Sequence, residues 1–340
     1  MRSCGVPRPL PPGDLMSTIE ADQLDVLLSP DDLRSVLERD ALRGLTASPK
    51  WLPPKYFYDD RGSELFEQIT RLPEYYPTRA EHGILQSHAG EIATAAGCET
   101  LLELGSGSST KTRLLLDALR DAGDLRGYVP VDVSAGALSE SMPALKQEYP
   151  GMEIRGVIAD FDAHLGALPL PGRRLWALLG GTIGNYPPAE RAQFLSAIAS
   201  AMQPGEAFLV GLDLVKEPGR LMRAYDDAAG VTAAFNLNVL SVLNRELDGD
   251  LDPSDFEHVA IWDDVNEWIE MRLRARGPVH ARLGVLDLEV VFDGGEELRT
   301  EISAKFRREP IEAELRVAGM EPTHWWTDGD FALALARKEN

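Results

Sequence analysis

Between Thr100 and Leu214 the chain alternates short apolar runs with amphipathic stretches, and no other feature narrows the possible folds as much. TLLELGSG (100–107), GYVPVDVS (127–134), MEIRGVIADF (152–161), LWALLGGTIGN (175–185) and EAFLVGLDL (206–214) read as strands, since each is a run of strand length that ends in turn residues. Thr112–Arg120, Ala135–Glu148 and Ala189–Met202 read as the helices between them. Repeated strand–helix units make neighbouring strands parallel, and a parallel sheet requires helices on both faces. The expected class is α/β.

The flanks follow other rhythms. Ala21–Leu45 is expected to be helical, with Asp31 and Asp32 near the helix start, and Ser48–Glu81 is dense in aromatics and prolines. That aromatic segment suits a wall for a flat ligand as well as it suits ordinary packing. Thr78 is expected to cap a helix running through His82, Ile84 and Leu85. After Leu214 the pattern predicts one long helix over Gly219–Leu247, a mixed stretch at Phe256–Val265 and antiparallel strands in IEMRLRARGPVH and LDLEVVFDGGEELRTEIS. A helix at Ile311–Ala318 and a closing strand at Phe331–Ala336 complete the chain, the strand being able to return to the parallel sheet.

With 340 residues, the chain exceeds the roughly 250 to 300 residues that one hydrophobic core usually serves, so a second lobe is expected. Its formal charge of −21 repels phosphate backbones and anionic membranes, so neither nucleic acid nor membrane is an expected partner. Two cysteines, Cys4 and Cys98, make no disulfide framework and fit a reducing, cytoplasmic setting. Residues 1–20 lack the apolar core of a signal peptide, carry a second methionine at Met16, and read as an unstructured extension. His82, His88, His164, His258, His280 and His324 show no ligand spacing, so no metal is expected.

The chemistry concentrates at Glu103-Leu-Gly105-Ser-Gly107-Ser-Ser-Thr110-Lys111-Thr112, between a strand and a helix, where backbone N–H groups attract negative or polar ligand edges. A P-loop is matched by Gly105, Lys111 and Thr112 but fails at Thr110, where its second glycine belongs. A dinucleotide fingerprint fails at the same residue. An S-adenosylmethionine loop asks only for an acidic residue, a glycine, any residue and a glycine, met by Glu103, Gly105 and Gly107. It also needs an acceptor for ribose hydroxyls after the second strand and an acidic residue near the adenine after the third. Asp132 and Asp160, the latter followed by Phe161, stand at those places.

Longer strings carry a family resemblance. From Ser48 onward, YFYDDRGSELFEQITRLPEYYPTRAE, ELGSGSSTKTRLLLDA, GGTIGNYPPAER, RAYDDAAGVTAAFNLNVLSVLNREL, LRTEISAKF and HWWTDGDF resemble the L-histidine Nα-methyltransferases of ergothioneine biosynthesis. The resemblance implies a Rossmann-like S-adenosylmethionine-dependent methyltransferase domain (79–215 and 305–340) and a mixed α+β substrate-binding domain (21–78 and 216–304). It implies a monomer acting on L-histidine and releasing S-adenosylhomocysteine. It places Gly105, Lys111, Asp132, Asp160 and Phe161 at the cofactor, and Tyr75, Asn185, Tyr225, Glu301 and Ser303 at histidine. Tyr58 and Gly180 would lie by the reacting amine. The chemistry agrees: Asn185 and Tyr225 carry donors for a carboxylate, while Glu301 and Ser303, two apart on a strand, face the same way and can meet both ring nitrogens. Taken without the resemblance, Glu301-Ile302-Ser303 reads rather as a strand with its polar residues in water and Ile302 toward the core, while Asn185 could be a turn residue, Tyr225 helix packing, and Asp226 and Asp227 a solvated pair.

Overall fold

The computed structural model describes residues 24–339 apart from 124 and 169–171, so the expected extension at 1–20 lies outside the described residues. The first element is a strand rather than a helix: β1 (Leu24–Val26) pairs in parallel with a later strand, and α1 (Pro30–Leu45) begins only where Ser29 and Asp32 close a reciprocal capping box. β2 (Lys50–Trp51), α2 (Asp60–Ile69) and α3 (Pro77–Ala96) follow. Thr78 does not cap α3; Tyr76 holds the cap position without a side-chain bond, and Pro77 sets the first turn because its fixed φ suits it.

The alternating region then builds β3 (Thr100–Leu104), α4 (Thr112–Asp121), β4 (Gly127–Asp132), α5 (Ala135–Glu148), β5 (Glu153–Ile154), β6 (Gly156–Ile158), α6 (Phe161–His164), β7 (Arg174–Leu178), α7 (Pro188–Ala201) and β8 (Ala207–Asp213). Two expected strands are shorter than their apolar runs. The stretch 152–161 breaks into β5 and β6 around Arg155, and Phe161 opens a helix capped by Asp160. The run at 175–185 leaves the sheet at Leu178, since Gly180 and Gly181 have φ of 80° and 75° and turn the chain into a single 3-10 turn, Thr182–Asn185.

The expected long helix is two, α8 (Pro218–Tyr225) and α9 (Val231–Leu247). Asp227 causes the break: its carboxylate accepts from the N–H groups of Val231 and Thr232 at 3.1 and 2.7 Å, and is buried. It serves the start of α9 and is not one of a solvated pair. The mixed stretch is a strand, β9 (Phe256–Asp263), followed by β10 (Trp268–Ala275), the hairpin β11 (Val279–Leu283) and β12 (Leu288–Phe292), then β13 (Glu297–Ala304). α10 (Arg308–Val317), β14 (Met320–Thr327) and β15 (Phe331–Lys338) end the fold.

The larger sheet runs β1-β6-β4-β3-β7-β8-β15-β14, with β5 beside β4; it is parallel up to β8, and β15 enters antiparallel to both its neighbours. Its strands bury both faces by alternation. Leu102, Leu104, Val129, Val131, Trp176 and Leu178 pack on one side; Leu101, Tyr128, Leu175 and Ala177 pack on the other. The strand order reverses between β3 and β7, which opens a crevice at their carboxyl ends, where the Gly105 loop lies.

The smaller sheet runs β2-β13-β10-β9 and shares an apolar core with α2, α8 and α9. The end of β13 ties it to the larger sheet: Phe306 N–H donates to Asp213 O at 2.8 Å and Val215 N–H to Phe306 O at 3.1 Å. The turn after β7 abuts β13 as well, since a Cβ on Gly184 would sit 2.9 Å from the Ala304 carbonyl oxygen. The second sheet is thereby held over the carboxyl ends of β7 and β8.

Candidate functional site

The glycine loop leaves β3 with Gly105 at φ 72° and Gly107 at φ 49°, both in the left-handed region open to glycine. A Cβ on Gly107 would meet nothing within 4 Å, so the backbone there borders free space. Asp132, at the end of β4, accepts the Gly107 and Ser134 N–H groups, each at 2.9 Å. Burial raises its carboxyl above its ordinary value against the pull of the Ser134, Gly107 and Val133 N–H groups, and among the described residues no side chain pairs with either oxygen. A vicinal diol fits that demand. Asp160 is bonded to the Asp162 N–H and to Lys55, while the Phe161 ring lies within 3.8 Å of a Cβ built on Gly105. The Phe161 ring packs on Phe194, which stacks on Tyr186 at 4.7 Å. These residues offer a diol acceptor, an acid and a flat apolar wall in the order an adenosyl group needs.

Glu103, the acidic residue of the motif, is turned away from this surface. It is 1% exposed, accepts from Thr112 and Tyr128, and burial raises its carboxyl to about 7 against those bonds. Its part is to pin the start of α4 to β4. The loop's cation, Lys111, instead meets Glu81 of α3, whose other oxygen accepts the Gly180 N–H at 2.8 Å. Lys111 and Gly180, assigned to cofactor and to amine respectively, are thus neighbours through a fully buried carboxylate.

The other assigned residues lie close together. Tyr58 packs edge-on to Phe66 and Phe235, Phe66 edge-on to Tyr75, and Tyr75 edge-on to Tyr225 at 6.4 Å. The aromatic segment of the sequence is therefore one wall, completed by Phe235 of α9. Burial pushes Tyr58 well above its ordinary 10, and the charges of Glu301, Tyr75, Asp132 and Tyr225 push it further, so the Asp132 and Glu301 carboxyl groups both act on one tyrosine. Tyr75 and Tyr225 rise for the same primary reason. Glu301 is pushed up to about 7 by burial, opposed by Lys305.

Ser303 and Tyr225 meet hydroxyl to hydroxyl at 2.7 Å, and Gly184, beside Asn185, lies against Ser303. Among the described residues, the hydroxyls of Tyr58 and Tyr75, the amide of Asn185 and the carboxylate of Glu301 have no hydrogen-bond partner, and none of them is sealed from solvent. Polar groups that the protein leaves unpaired are free to meet water or a polar ligand. Glu301 and Ser303 do not face bulk water as a plain surface strand would, and Tyr225 is more than helix packing.

Residues that sequence reasoning missed stand directly behind these. They are Glu81, Asp213, Lys216, Tyr76 and Lys305, a buried polar layer under the site. A signal existed for Glu81, which lies on the same helical stripe as Ile84, Leu85, Ala89 and Ile92, where a charge is out of place. Asn236 and His258 form a further layer: His258 Nδ1 accepts from Asn236, and Nε2 donates to the Tyr225 carbonyl at 2.8 Å, with burial lowering the imidazole below its usual range.

Comparison with known proteins comes to the same place. The family model described as "Histidine-specific methyltransferase, SAM-dependent" matches residues 37–338. The chain is 60% identical over 311 residues to the histidine N-alpha-methyltransferase of Mycolicibacterium smegmatis, covering 91% of this chain and 97% of that one. It is 57% identical over 304 residues to the histidine N-alpha-methyltransferase of Mycobacterium tuberculosis, covering 89% and 95%. A more distant relative, ergothioneine biosynthesis protein 1 of Neurospora crassa, is 29% identical over 329 residues, which are 94% of this chain and 37% of that longer one.

Proposed function

The chain belongs to the histidine-specific, S-adenosylmethionine-dependent methyltransferase family, and on that premise we propose how its residues methylate the α-amine of L-histidine. It is a histidine Nα-methyltransferase of ergothioneine biosynthesis. The step runs to the trimethylated betaine, hercynine. The observation that carries the site reading is the set of unpaired polar groups, Glu301 on β13 with Tyr58, Tyr75 and Asn185 on the turns beside it.

S-adenosylmethionine supplies a methyl group on a sulfonium carbon, open to displacement by an amine lone pair. Asp132 accepts the ribose hydroxyls, and Asp160 and Phe161 take the adenine edge and face. Gly105 lets the backbone approach, and Lys111 offers a cation beside it. On the substrate side, Glu301 accepts a ring N–H while Ser303 donates to the other ring nitrogen, with Tyr75 closing the pocket. Asn185 donates to the substrate carboxylate, while Tyr225 gives its proton to Ser303. These contacts would fix the amine near Gly180 and Tyr58, within reach of the methyl carbon it must attack.

Tyr58 stays a neutral hydroxyl, since burial and surrounding negative charge hold its proton. It therefore orients the amine and meets its growing positive charge without acting as a base. An α-amine with an ordinary pKa near 8 loses its proton to water, so no dedicated base is needed. A reducing, cytoplasmic setting accords with the two cysteines; among the described residues no helix is long and apolar enough to cross a membrane.

Competition tests this reading. With S-adenosylmethionine and equal histidine, tryptophan, phenylalanine and tyrosine, histidine alone should be consumed. Comparable consumption of another aromatic amino acid would refute the assignment of Glu301 and Ser303 to the ring.

A further inference from the structure

Lys305 follows β13 on the same face as Glu301 and Ser303, and its side chain is fully buried. An enclosed ammonium needs a counter-charge and three acceptors. Nζ has them: it donates to Tyr225 Oη at 3.0 Å and to Ser303 Oγ at 2.8 Å, and it lies 2.9 Å from the Asp213 carboxylate. Asp213 is anchored in turn by the Tyr76 hydroxyl at 2.7 Å and by Lys216 at 2.5 Å, and although burial works against its charge, Lys305 and Lys216 hold it below the usual carboxylate range.

The consequence lies in the hydroxyl protons. A serine oxygen accepts twice and donates once, and a tyrosine oxygen donates once. Lys305 donates to both oxygens, and the 2.7 Å contact between them uses one of their two protons. A single O–H remains to point into the site. Lys305 also polarises that O–H, since a buried cation behind an oxygen strengthens its proton as a donor.

We infer that Lys305 is a positioning and specificity-determining residue: it makes the Tyr225–Ser303 pair a one-directional donor, so that the site takes a ring with a bare nitrogen toward the pair and an N–H toward Glu301. The neutral imidazole is such a ring, and a ring with N–H groups on both sides is not. This rests on the assignment of Glu301 and Ser303 to the substrate ring.

The test compares L-histidine with the two pyrrolylalanines, each of which keeps one ring N–H and replaces the other nitrogen with C–H. Wild-type enzyme should prefer histidine over the better pyrrole by at least a hundredfold in kcat/KM, because a site built to hydrogen-bond an atom rejects the analogue lacking it. Lys305→Met should cut that preference at least tenfold, through a higher KM for histidine with little change for the pyrrole. In a Ser303→Ala background it should change the preference little, since the donor it directs is gone. Asp213 keeps Lys216 and Tyr76 in the variant, and unchanged S-adenosylhomocysteine binding checks the fold. If Lys305→Met does not fold, Lys305→Met/Asp213→Asn, which removes both charges together, is read in its place. A variant that loses both substrates equally would overturn the inference, as would one that keeps the full preference. A wild type without preference would overturn the ring assignment itself.

Discussion

Glu301→Gln should make the free enzyme more stable and the enzyme worse at holding histidine. The Glu301 carboxylate has no hydrogen-bond partner among the described residues, and burial raises it from 4.5 to about 7. A raised folded-state value means that the native protein binds this proton more tightly than the unfolded chain does. The stability associated with it is fully present below pH 4.5 and is lost as pH rises through 7. The interval corresponds to about 2 to 3 kcal/mol once the surface the group retains is allowed for. Glutamine keeps the shape without the charge, so at pH 8 the variant should melt several degrees above wild type, at about 2 °C per kcal/mol for a chain of this size. At pH 4 the two should melt together. Histidine inverts the ranking: its ring N–H gives the carboxylate a charge-assisted bond of about 1.5 to 3 kcal/mol, so KM should rise tenfold to a hundredfold in the variant. Differential scanning fluorimetry at both pH values, with and without histidine, and steady-state kinetics read all of this. A variant that melts below wild type at pH 8, or that keeps the wild-type KM, would refute the reasoning.

Asp132→Asn turns one of two acceptor oxygens into a donor facing a backbone N–H, and should weaken S-adenosylhomocysteine binding at least tenfold by calorimetry; unchanged affinity would remove Asp132 from the cofactor site. Asp227→Ala leaves the first N–H groups of α9 unpaired, which should destabilise the fold by about 1 to 2 kcal/mol and lower Tm by several degrees. An unchanged Tm would restore it to a solvated surface pair.

The strand–helix alternation was legible because a sheet buried on both faces writes itself as apolar runs, and β3, β4, β7 and β8 appear where those runs stand. What misled was the length of the runs. Leu179 to Asn185 is as apolar as a strand but carries Gly180 and Gly181, and their left-handed backbone ends the strand early. The long helical pattern from Gly219 concealed a break, because Asp226 and Asp227 look like exposed helix charges until the carboxylate of Asp227 is seen beneath the N–H groups of α9. The residues assigned to ligand lay in long, recognisable strings. The layer behind them did not, since Lys305, Asp213 and Glu81 act through partners far away in sequence: Lys305 and Tyr225 are 80 residues apart, and Lys111 and Glu81 are 30. Strand alternation placed Glu301, Ser303 and Lys305 on one face, but only the fold shows that Asp213 meets them there.

One site, as proposed, carries the amine of free L-histidine through successive methyl transfers. Purified enzyme, S-adenosylmethionine and L-histidine, followed by mass spectrometry of the amino acid over time, test it directly. The expected end point is a mass gain of three methyl groups, all on the α-nitrogen. Accumulation of a monomethyl product alone, or methylation of the ring, would contradict it.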